Sequence, residues 1–175
     1  MITVRPGEPA DAHDIQVILY RTWIDTYPDE AAGISREDIE AFWGDPLSAE
    51  RLERQERALS RRDDRGRTLI AHVDDEAAGC CHVERADDHG ELRMIYVLPE
   101  FQRRGVGSLL WREALGFLDP SKDVVVRVAA YNAKAIAFYR ALGFVDTGRR
   151  LERFRMPTGA VIPEIEMARQ AARGT

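Results

Sequence analysis

Three short runs of strand-like residues follow one another in the middle of the chain, and they restrict the possible folds more than any other feature of the sequence. The runs cover residues 68–73, 77–84 and 91–98. The breaks between them, Asp74-Asp75 and Asp87-Asp88-His89-Gly90, consist of residues that favour turns. Connections this short join antiparallel neighbours, whereas parallel strands need a crossover of about a dozen residues or more. The sequence therefore predicts an antiparallel meander.

Helical periodicity appears on both sides of this meander. Ile15, Ile18 and Leu19, for example, recur on one face of a helix that ends near residue 24. The remaining predicted elements are a strand at residues 2–5, helices at 36–43, 49–61, 105–117 and 133–142, and strands at 124–129, 144–151 and 161–167. This order predicts an α+β fold with one central mixed, mostly antiparallel β-sheet and helices on both of its faces.

Length and composition point to one soluble domain. The chain has 175 residues and is 45% hydrophobic, which is enough for a single core, so residues 1–175 are predicted to form one domain. No apolar run approaches the roughly 20 residues that cross a bilayer, and the N-terminus lacks the layout of a secretory signal. We therefore expect a cytoplasmic protein that does not contact membranes. The formal net charge of −5 argues against a nucleic-acid partner and is compatible with a cationic substrate.

The two cysteines, Cys80 and Cys81, are adjacent inside an apolar stretch. A structural disulfide is unfavourable there, and partners for metal ligation are not visible in the pattern. We interpret both as small core residues rather than reactive thiols, because free cysteine is commonly buried. No metal site is predicted.

A strand, a turn and an amphipathic helix meet at residues 96–107, where the turn contains Gly105 and Gly107. Glycine lets a backbone approach a ligand closely, and the amides that open a helix are unpaired donors at the positive end of its dipole. Such a turn binds phosphate oxygens, and Arg103 and Arg104 add positive charge. A tight turn that merely needs glycine would show the same two residues.

Two other phosphate-binding motifs do not fit this turn. A P-loop requires Gly-Lys-Ser/Thr, and the turn does not contain it. A dinucleotide-binding unit requires G-x-G-x-x-G in a parallel strand–helix unit with an acidic residue downstream, whereas this turn follows the fourth predicted strand. The pattern therefore favours a third class of cofactor site.

The turn resembles the signature of the GNAT superfamily of acyl-CoA-dependent N-acyltransferases, which is Gln/Arg-x-x-Gly-x-Gly/Ala between a strand and a helix. The matching residues are Gln102-Arg103-Arg104-Gly105-Val106-Gly107. A second family segment follows in the expected order: Val125-Val126-Arg127-Val128, then Tyr131-Asn132-Ala133-Lys134-Ala135-Ile136-Ala137-Phe138-Tyr139, then Leu142-Gly143-Phe144. Two matches at this spacing are far more specific than either alone, and similarity at both ends extends the resemblance over nearly the whole chain.

The resemblance implies a GNAT-like fold that binds acetyl-CoA as cosubstrate and acetylates a primary amine. It implies that the amides of residues 102–107 bind the coenzyme pyrophosphate, and that the pantetheine arm pairs like a strand with Ile95 and Val97. The amide near Val97 would then face the developing oxyanion. Asn132 is the implied hydrogen-bond partner of the arm, although an N-cap role for Asn132 is equally good chemistry. Phe138 is expected to pack along the pantetheine.

Tyr139 occupies the family position of the general acid that protonates the departing thiolate. A phenol has a pKa near 10 and is protonated at neutral pH, so it can donate that proton. A simple core tyrosine beside Phe138 is the alternative. For the general base, the resemblance points to Glu91 first, then to Glu84 and His82, although each could equally be a solvated strand residue.

In this superfamily the first two helices and their connection supply much of the amine-binding wall. The corresponding residues here are Trp23, Asp25, Tyr27, Asp29, Glu30 and Trp43. Carboxylates combined with aromatic rings suit a cationic amine, so we expect a small cationic acceptor molecule. Trp23 as a core residue and the acids as solvated surface residues are the alternative.

Three functions are thus compatible with the sequence. The protein could acetylate a small cationic amine, or it could acetylate a protein N-terminus or a lysine. It could also be a catalytically silent CoA-binding module, although the presence of Tyr139 argues against that. The acceptor, the acyl preference beyond acetyl and the oligomeric state are not determined, and a homodimer is compatible with the sequence.

Overall fold

The computed structural model describes residues 1–61 and 64–171, so residues 62–63 and 172–175 of the predicted domain lie outside it. Strands are β1 (Ile2–Pro6), β2 (Gly66–Val73), β3 (Glu76–Arg85), β4 (Gly90–Val97), β5 (Val124–Ala129), β6 (Val145–Arg155) and β7 (Val161–Arg169). Helices are α1 (Ala12–Thr26), α2 (Arg36–Trp43), α3 (Ala49–Ser60), α4 (Val106–Leu115) and α5 (Ala133–Ala141). Element types and order confirm the sequence prediction. No described helix combines the length and apolar character needed to span a membrane.

All seven strands form one sheet in the order β1-β2-β3-β4-β5-β7-β6. Every neighbouring pair is antiparallel except β4 and β5, which run parallel. The α+β fold with a mixed, mostly antiparallel sheet is thereby confirmed. The parallel pair is required because α4 carries the chain from one end of the sheet back to the other before β5 begins.

Both faces of the sheet are covered. Cys80 and Cys81 are consecutive residues of β3, their side chains point to opposite faces, and both are fully buried. Helix α1 contacts β3 and β4, and α4 contacts the same strands. The Cys81 thiol lies against the carbonyl of Leu110 on α4, and burial raises its pKa to about 12. The interpretation of the two cysteines as core residues is therefore confirmed, and the prediction of helices on both faces holds.

Helix α2 closes the far end of the α1 face. Its capping box is complete: Ser35 Oγ accepts from the Asp38 amide at 3.0 Å, and Asp38 Oδ2 accepts from the Ser35 amide at 2.9 Å. The helix packs Trp43 and Phe42 around Trp23 of α1. These rings lie over Ile162 of β7 in a second hydrophobic cluster, separate from the main core.

The sheet opens between β4 and β5. The two strands pair only from Gly90–Leu92 to Val124–Val126, and both continue beyond that point without pairing with each other. We call this gap the opening and its closed end, at Leu92 and Val126, the fork. A β-bulge lies beside the fork, because His82 pairs with Met94 and Val83 pairs with Leu92, which leaves Arg93 as an extra residue.

Candidate active site

The glycine turn after β4 carries six consecutive free amides. Gly105 is the N-cap of α4 with φ 91°, and Arg103 has φ 60°, a left-handed conformation that is uncommon outside glycine. Within the described residues, the amides of residues 103–108 donate to no other group, and the first helical bond of α4 runs from the Leu109 amide to the Gly105 carbonyl at 3.0 Å. Consecutive unpaired amides at a helix start form an anion-binding concavity.

The surroundings of the turn fit a pyrophosphate. Gln102 Nε2 donates to the Val97 carbonyl at 3.0 Å and so fastens the turn to the end of β4. A Cβ atom added at Gly107 would lie 3.4 Å from the Phe138 ring and 3.7 Å from a methyl group of Val97, so a branched side chain there would crowd the ring beside the turn. Arg103 and Arg104 are exposed beside it, where their cations can meet further phosphate charge.

The edge of β4 faces the opening through alternate residues. The Leu98 amide donates to the Ala78 carbonyl of β3 at 2.9 Å. Because backbone groups of successive strand residues point to opposite sides, the backbone groups of Val97 and Ile95 point away from β3, into the opening. An extended ligand could pair with them as an additional strand.

Tyr139 lies on the other wall of the opening. It is buried in the main core beside Phe144, with ring centroids 5.8 Å apart, and its hydroxyl has no hydrogen-bond partner among the described residues. Burial raises its pKa above the ordinary value, and the neighbouring Tyr96 and Cys81 raise it further. The phenol is therefore a protonated donor without an internal acceptor.

Asn132 caps α5, the helix that carries Tyr139. Its Oδ1 accepts a hydrogen bond from the Ala135 amide at 3.0 Å, which is the N-cap interaction that the sequence offered as one of two roles. The cap fixes the residue at which α5 begins and therefore the position of Tyr139 along the wall of the opening.

On the α1 face, three tyrosines line the same opening. The hydroxyls of Tyr27 and Tyr96 are 3.0 Å apart, and the Tyr131 hydroxyl donates to the Tyr27 carbonyl at 2.8 Å. Burial raises the pKa of Tyr131 to about 12. Tyr27 was singled out from the sequence, whereas Tyr96 and Tyr131 were not.

The other residues assigned to the acceptor wall are arranged less uniformly. Trp23 is buried and stacks on Phe42 at 5.4 Å, as a core residue would. Asp25 is exposed in a shallow pocket of about 370 Å³ between α1 and the turn after β4. Asp29 caps a local turn, since its Oδ1 accepts from the Ala32 amide at 2.8 Å. Glu30 is exposed, and Trp43 is buried in the aromatic cluster.

Glu91 lies at the fork and is held by two arginines through one oxygen. Its Oε1 is bonded to Arg93 Nη1 at 2.9 Å and to Arg127 Nη1. Its Oε2 takes no hydrogen bond from the described residues, and Glu91 lines a groove of about 1290 Å³ on the α1 face. The second oxygen is therefore the one that could accept a proton. His82 and Glu84 are bonded to each other at 3.3 Å further along this face.

A row of ion pairs with largely buried carboxylates continues from Glu91 across β5, β7 and β6. Glu166 Oε2 is 3.5 Å from Arg127 Nε and 3.2 Å from Arg149 Nη1. Glu164 forms a two-bond pair with Arg153, at 2.5 and 3.0 Å. Our sequence interpretation gave none of these residues a role in the site. A signal was present, because Glu164 and Glu166 alternate with apolar residues in a predicted strand, and charges at such positions are buried only when paired.

Comparison with known proteins gives concordant matches. Residues 19–144 match the acetyltransferase (GNAT) family. The chain is 32% identical over 114 residues to a [ribosomal protein bS18]-alanine N-acetyltransferase from Salmonella typhimurium, covering 63% of this chain and 77% of that protein.

Solved structures show the same fold. The PaiA N-acetyltransferase from Thermoplasma acidophilum, in complex with coenzyme A, superposes with a TM-score of 0.70 at 22% identity over 97% of this chain and 99% of that one. The ribosomal-protein-S18-alanine N-acetyltransferase from Escherichia coli gives 0.68 at 21% identity over 100% and 97% of the two chains.

Proposed function

This chain belongs to the acetyltransferase (GNAT) family and is an acyl-CoA-dependent N-acetyltransferase, and we propose that Tyr139 is its proton donor and Glu91 its proton acceptor. The observation that carries this proposal is the unpartnered Tyr139 hydroxyl in the wall of an opening that begins at the glycine turn. A hydroxyl is a hydrogen-bond donor, and a reacting group in the opening would supply an acceptor for it.

Acetyl-CoA supplies an activated acetyl thioester. The free amides of residues 103–108 would hold its pyrophosphate, assisted by Arg103 and Arg104, while Ile95 and Val97 would pair with its arm. The backbone amide of Val97 points into the opening, where it can stabilise negative charge that develops on the acyl oxygen.

Tyr139 and Glu91 supply a donor and an acceptor for the two proton transfers of the reaction. The acceptor nitrogen forms a bond to the acyl carbon, the carbon–sulfur bond breaks, and the sulfur takes the Tyr139 proton. The nitrogen loses one proton, which Glu91 Oε2 accepts directly or through water. Glu91 then releases its proton to solvent and Tyr139 takes one back, so that protein and solvent are unchanged after one turnover with an unprotonated amine.

We propose a small cationic amine as acceptor, in line with the acidic character of the α1–α2 segment. Asp25 lines an exposed pocket next to the turn after β4, together with Arg21 and Arg36, and Glu30 is exposed nearby in sequence. The proposal rests on these surface acids, because each carboxylate of the inner row is paired with an arginine.

The α-amine of a polypeptide is a second candidate. It is favoured by the Salmonella relative, which is named for acetylation of an alanine of ribosomal protein bS18. The neutralised inner row also fits an acceptor with no extra positive charge near its amine.

A panel assay separates these acceptors. Thiol release and product mass are measured with wild-type protein, acetyl-CoA and three acceptors: a polyamine, a free amino acid and a peptide with an unmodified N-terminus. If the acceptor is a small cation, the polyamine is acetylated and its kcat/KM falls as salt rises, since screening weakens long-range attraction. Activity on the peptide with none on free amines would assign the function to polypeptide α-amines. Coenzyme binding without transfer to any amine would contradict the proposed roles of Tyr139 and Glu91.

A further inference from the structure

Arg127 occupies the first position on β5 beyond the fork. The last β4–β5 pair is Leu92 with Val126, so Arg127 is the first residue of the part of β5 that does not pair with β4. Its side chain lies on the α1 face, where it bonds to Glu91. The guanidinium therefore stands beside the carboxylate that we propose accepts the amine proton.

One donor of Arg127 is buried without a proper acceptor. Its Nη1 is bonded to Glu91, but its Nε is buried and makes no hydrogen bond within the described residues. The nearest carboxylate oxygen, Glu166 Oε2, is 3.5 Å away, which is longer than a good N–H···O hydrogen bond. That oxygen is already engaged by Arg149 at 3.2 Å. A buried N–H of a charged group that lacks an acceptor is destabilising, so a ligand oxygen there would be favourable.

We propose that Arg127 binds the carbonyl oxygen on the carbon adjacent to the amine-bearing carbon of the acceptor, so that the enzyme selects α-amino carbonyl compounds. This inference rests on the proposed function and chooses among its acceptors. In an α-amino amide or an α-amino acid, the oxygen and the amine nitrogen are only a few ångströms apart. One end can thus meet Arg127 while the other presents its proton to Glu91. A peptide N-terminus and a free amino acid share this chemistry, and simple polyamines lack it.

Matched acceptors test the proposal on wild-type protein. L-alanine amide and isopropylamine differ chiefly in the carbonyl group, and their rates are compared per concentration of unprotonated amine, because their pKa values differ. We expect kcat/KM to be about 10- to 100-fold higher for alanine amide, the range typical of a hydrogen bond to a charged group. Equal values for the two amines would overturn the proposal. If these two amines, free L-alanine and a peptide that begins with alanine all fail to be acetylated while acetyl-CoA binds, the proposed function fails instead.

Two further acceptors separate the sources of the oxygen. Free L-alanine carries a carboxylate, and a short peptide that begins with alanine carries a peptide carbonyl. Higher kcat/KM for the peptide identifies polypeptide N-termini, and higher kcat/KM for L-alanine identifies amino acids. Either result supports binding of the oxygen by Arg127, provided that kcat/KM for both acceptors is higher than for isopropylamine.

The variant Arg127→Met tests the residue itself. We expect the ratio of kcat/KM between alanine amide and isopropylamine to fall to about one, while KM for acetyl-CoA stays within about twofold. If the role of Arg127 were purely structural, kcat/KM would fall equally for both amines and their ratio would not change. That result would contradict the assignment. Arg150→Met is the matched control, because it removes an exposed arginine of β6 that pairs with Asp146 and not with Glu166, and it should retain the ratio. If Arg127→Met does not fold, since two buried carboxylates lose a partner, Arg127→Lys and the wild-type comparison still decide the question.

Discussion

At the scale of single residues, the proposed site rests on two side chains, Tyr139 and Arg127. The Arg127 Nε–H is buried without a hydrogen-bond partner among the described residues, and the Tyr139 hydroxyl is not hydrogen-bonded to any of them. Most buried polar groups in proteins are hydrogen-bonded, and we propose that a ligand completes the bonding at Arg127.

The raised pKa of Tyr139 predicts the alkaline behaviour of the enzyme. Burial disfavours the phenolate, so the folded-state pKa lies above the ordinary value of 10.0. A donor is active when protonated, and a raised pKa extends its active range upward. We expect kcat at saturating amine not to decline between pH 7 and about pH 10.

The raised pKa of Tyr139 also determines the control for the measurement of kcat against pH. A group with a raised folded-state pKa contributes stability that is fully present below its unfolded pKa and is lost as pH rises through the folded value. Circular dichroism should therefore show no unfolding due to Tyr139 below about pH 10. A fall in kcat centred well below pH 10, with the fold intact, would show that the essential acid is a group with a lower pKa.

Residue-level prediction from sequence was limited by long-range geometry. The Tyr139 assignment needed only the local segment from Asn132 onward. Arg127 and Glu164 gain their surroundings from β4, β6 and β7, and the sheet order that makes these strands neighbours is not encoded in local spacing. The β-bulge at Arg93 also changes which face Glu91 points to, and one inserted residue has no clear signature in the sequence.

At the scale of elements, we propose that the glycine turn and the first turn of α4 act as one binding unit. Gly105 supplies the left-handed N-cap, and Gly107 leaves room beside the Phe138 ring. The prediction of this unit was local, because it required only a strand end, two glycines and an amphipathic helix. The free amides of residues 103–108 follow from the same local geometry.

Gly107→Val tests the unit. A valine side chain would press on the Phe138 ring, whose nearest atom is 3.4 Å from the added Cβ, and we expect the turn that carries the free amides to shift. We expect acetyl-CoA affinity measured by calorimetry to fall by at least about 100-fold, since several hydrogen bonds to a charged pyrophosphate are lost together. Gly116→Ala, at the opposite end of α4, is the matched control and should bind normally. Unchanged affinity in a folded Gly107→Val protein would remove the pyrophosphate from this turn.

At the scale of the whole molecule, we propose that two substrates meet in the opening from opposite faces of one sheet. The glycine turn, α4 and Tyr139 belong to one side, and Tyr27, Tyr96 and the row of ion pairs that begins at Glu91 belong to the other. The sequence predicted the sheet and its helices because periodicity is local. It did not predict the opening, because the divergence of β4 and β5 depends on pairing across about 30 residues of intervening chain.

The central claim is that chemistry occurs where these two sides meet, with Tyr139 as proton donor to the coenzyme sulfur. Single-turnover acetyl transfer from bound acetyl-CoA, measured in wild type, Tyr139→Phe and the control Tyr131→Phe, tests it most directly. We predict that Tyr139→Phe slows transfer by about 10²–10⁴-fold while acetyl-CoA affinity and melting temperature stay near those of the parent. Tyr131→Phe loses a comparable hydroxyl, which donates to the Tyr27 carbonyl, and should transfer at nearly the parental rate. A Tyr139→Phe rate within about threefold of wild type would contradict the account.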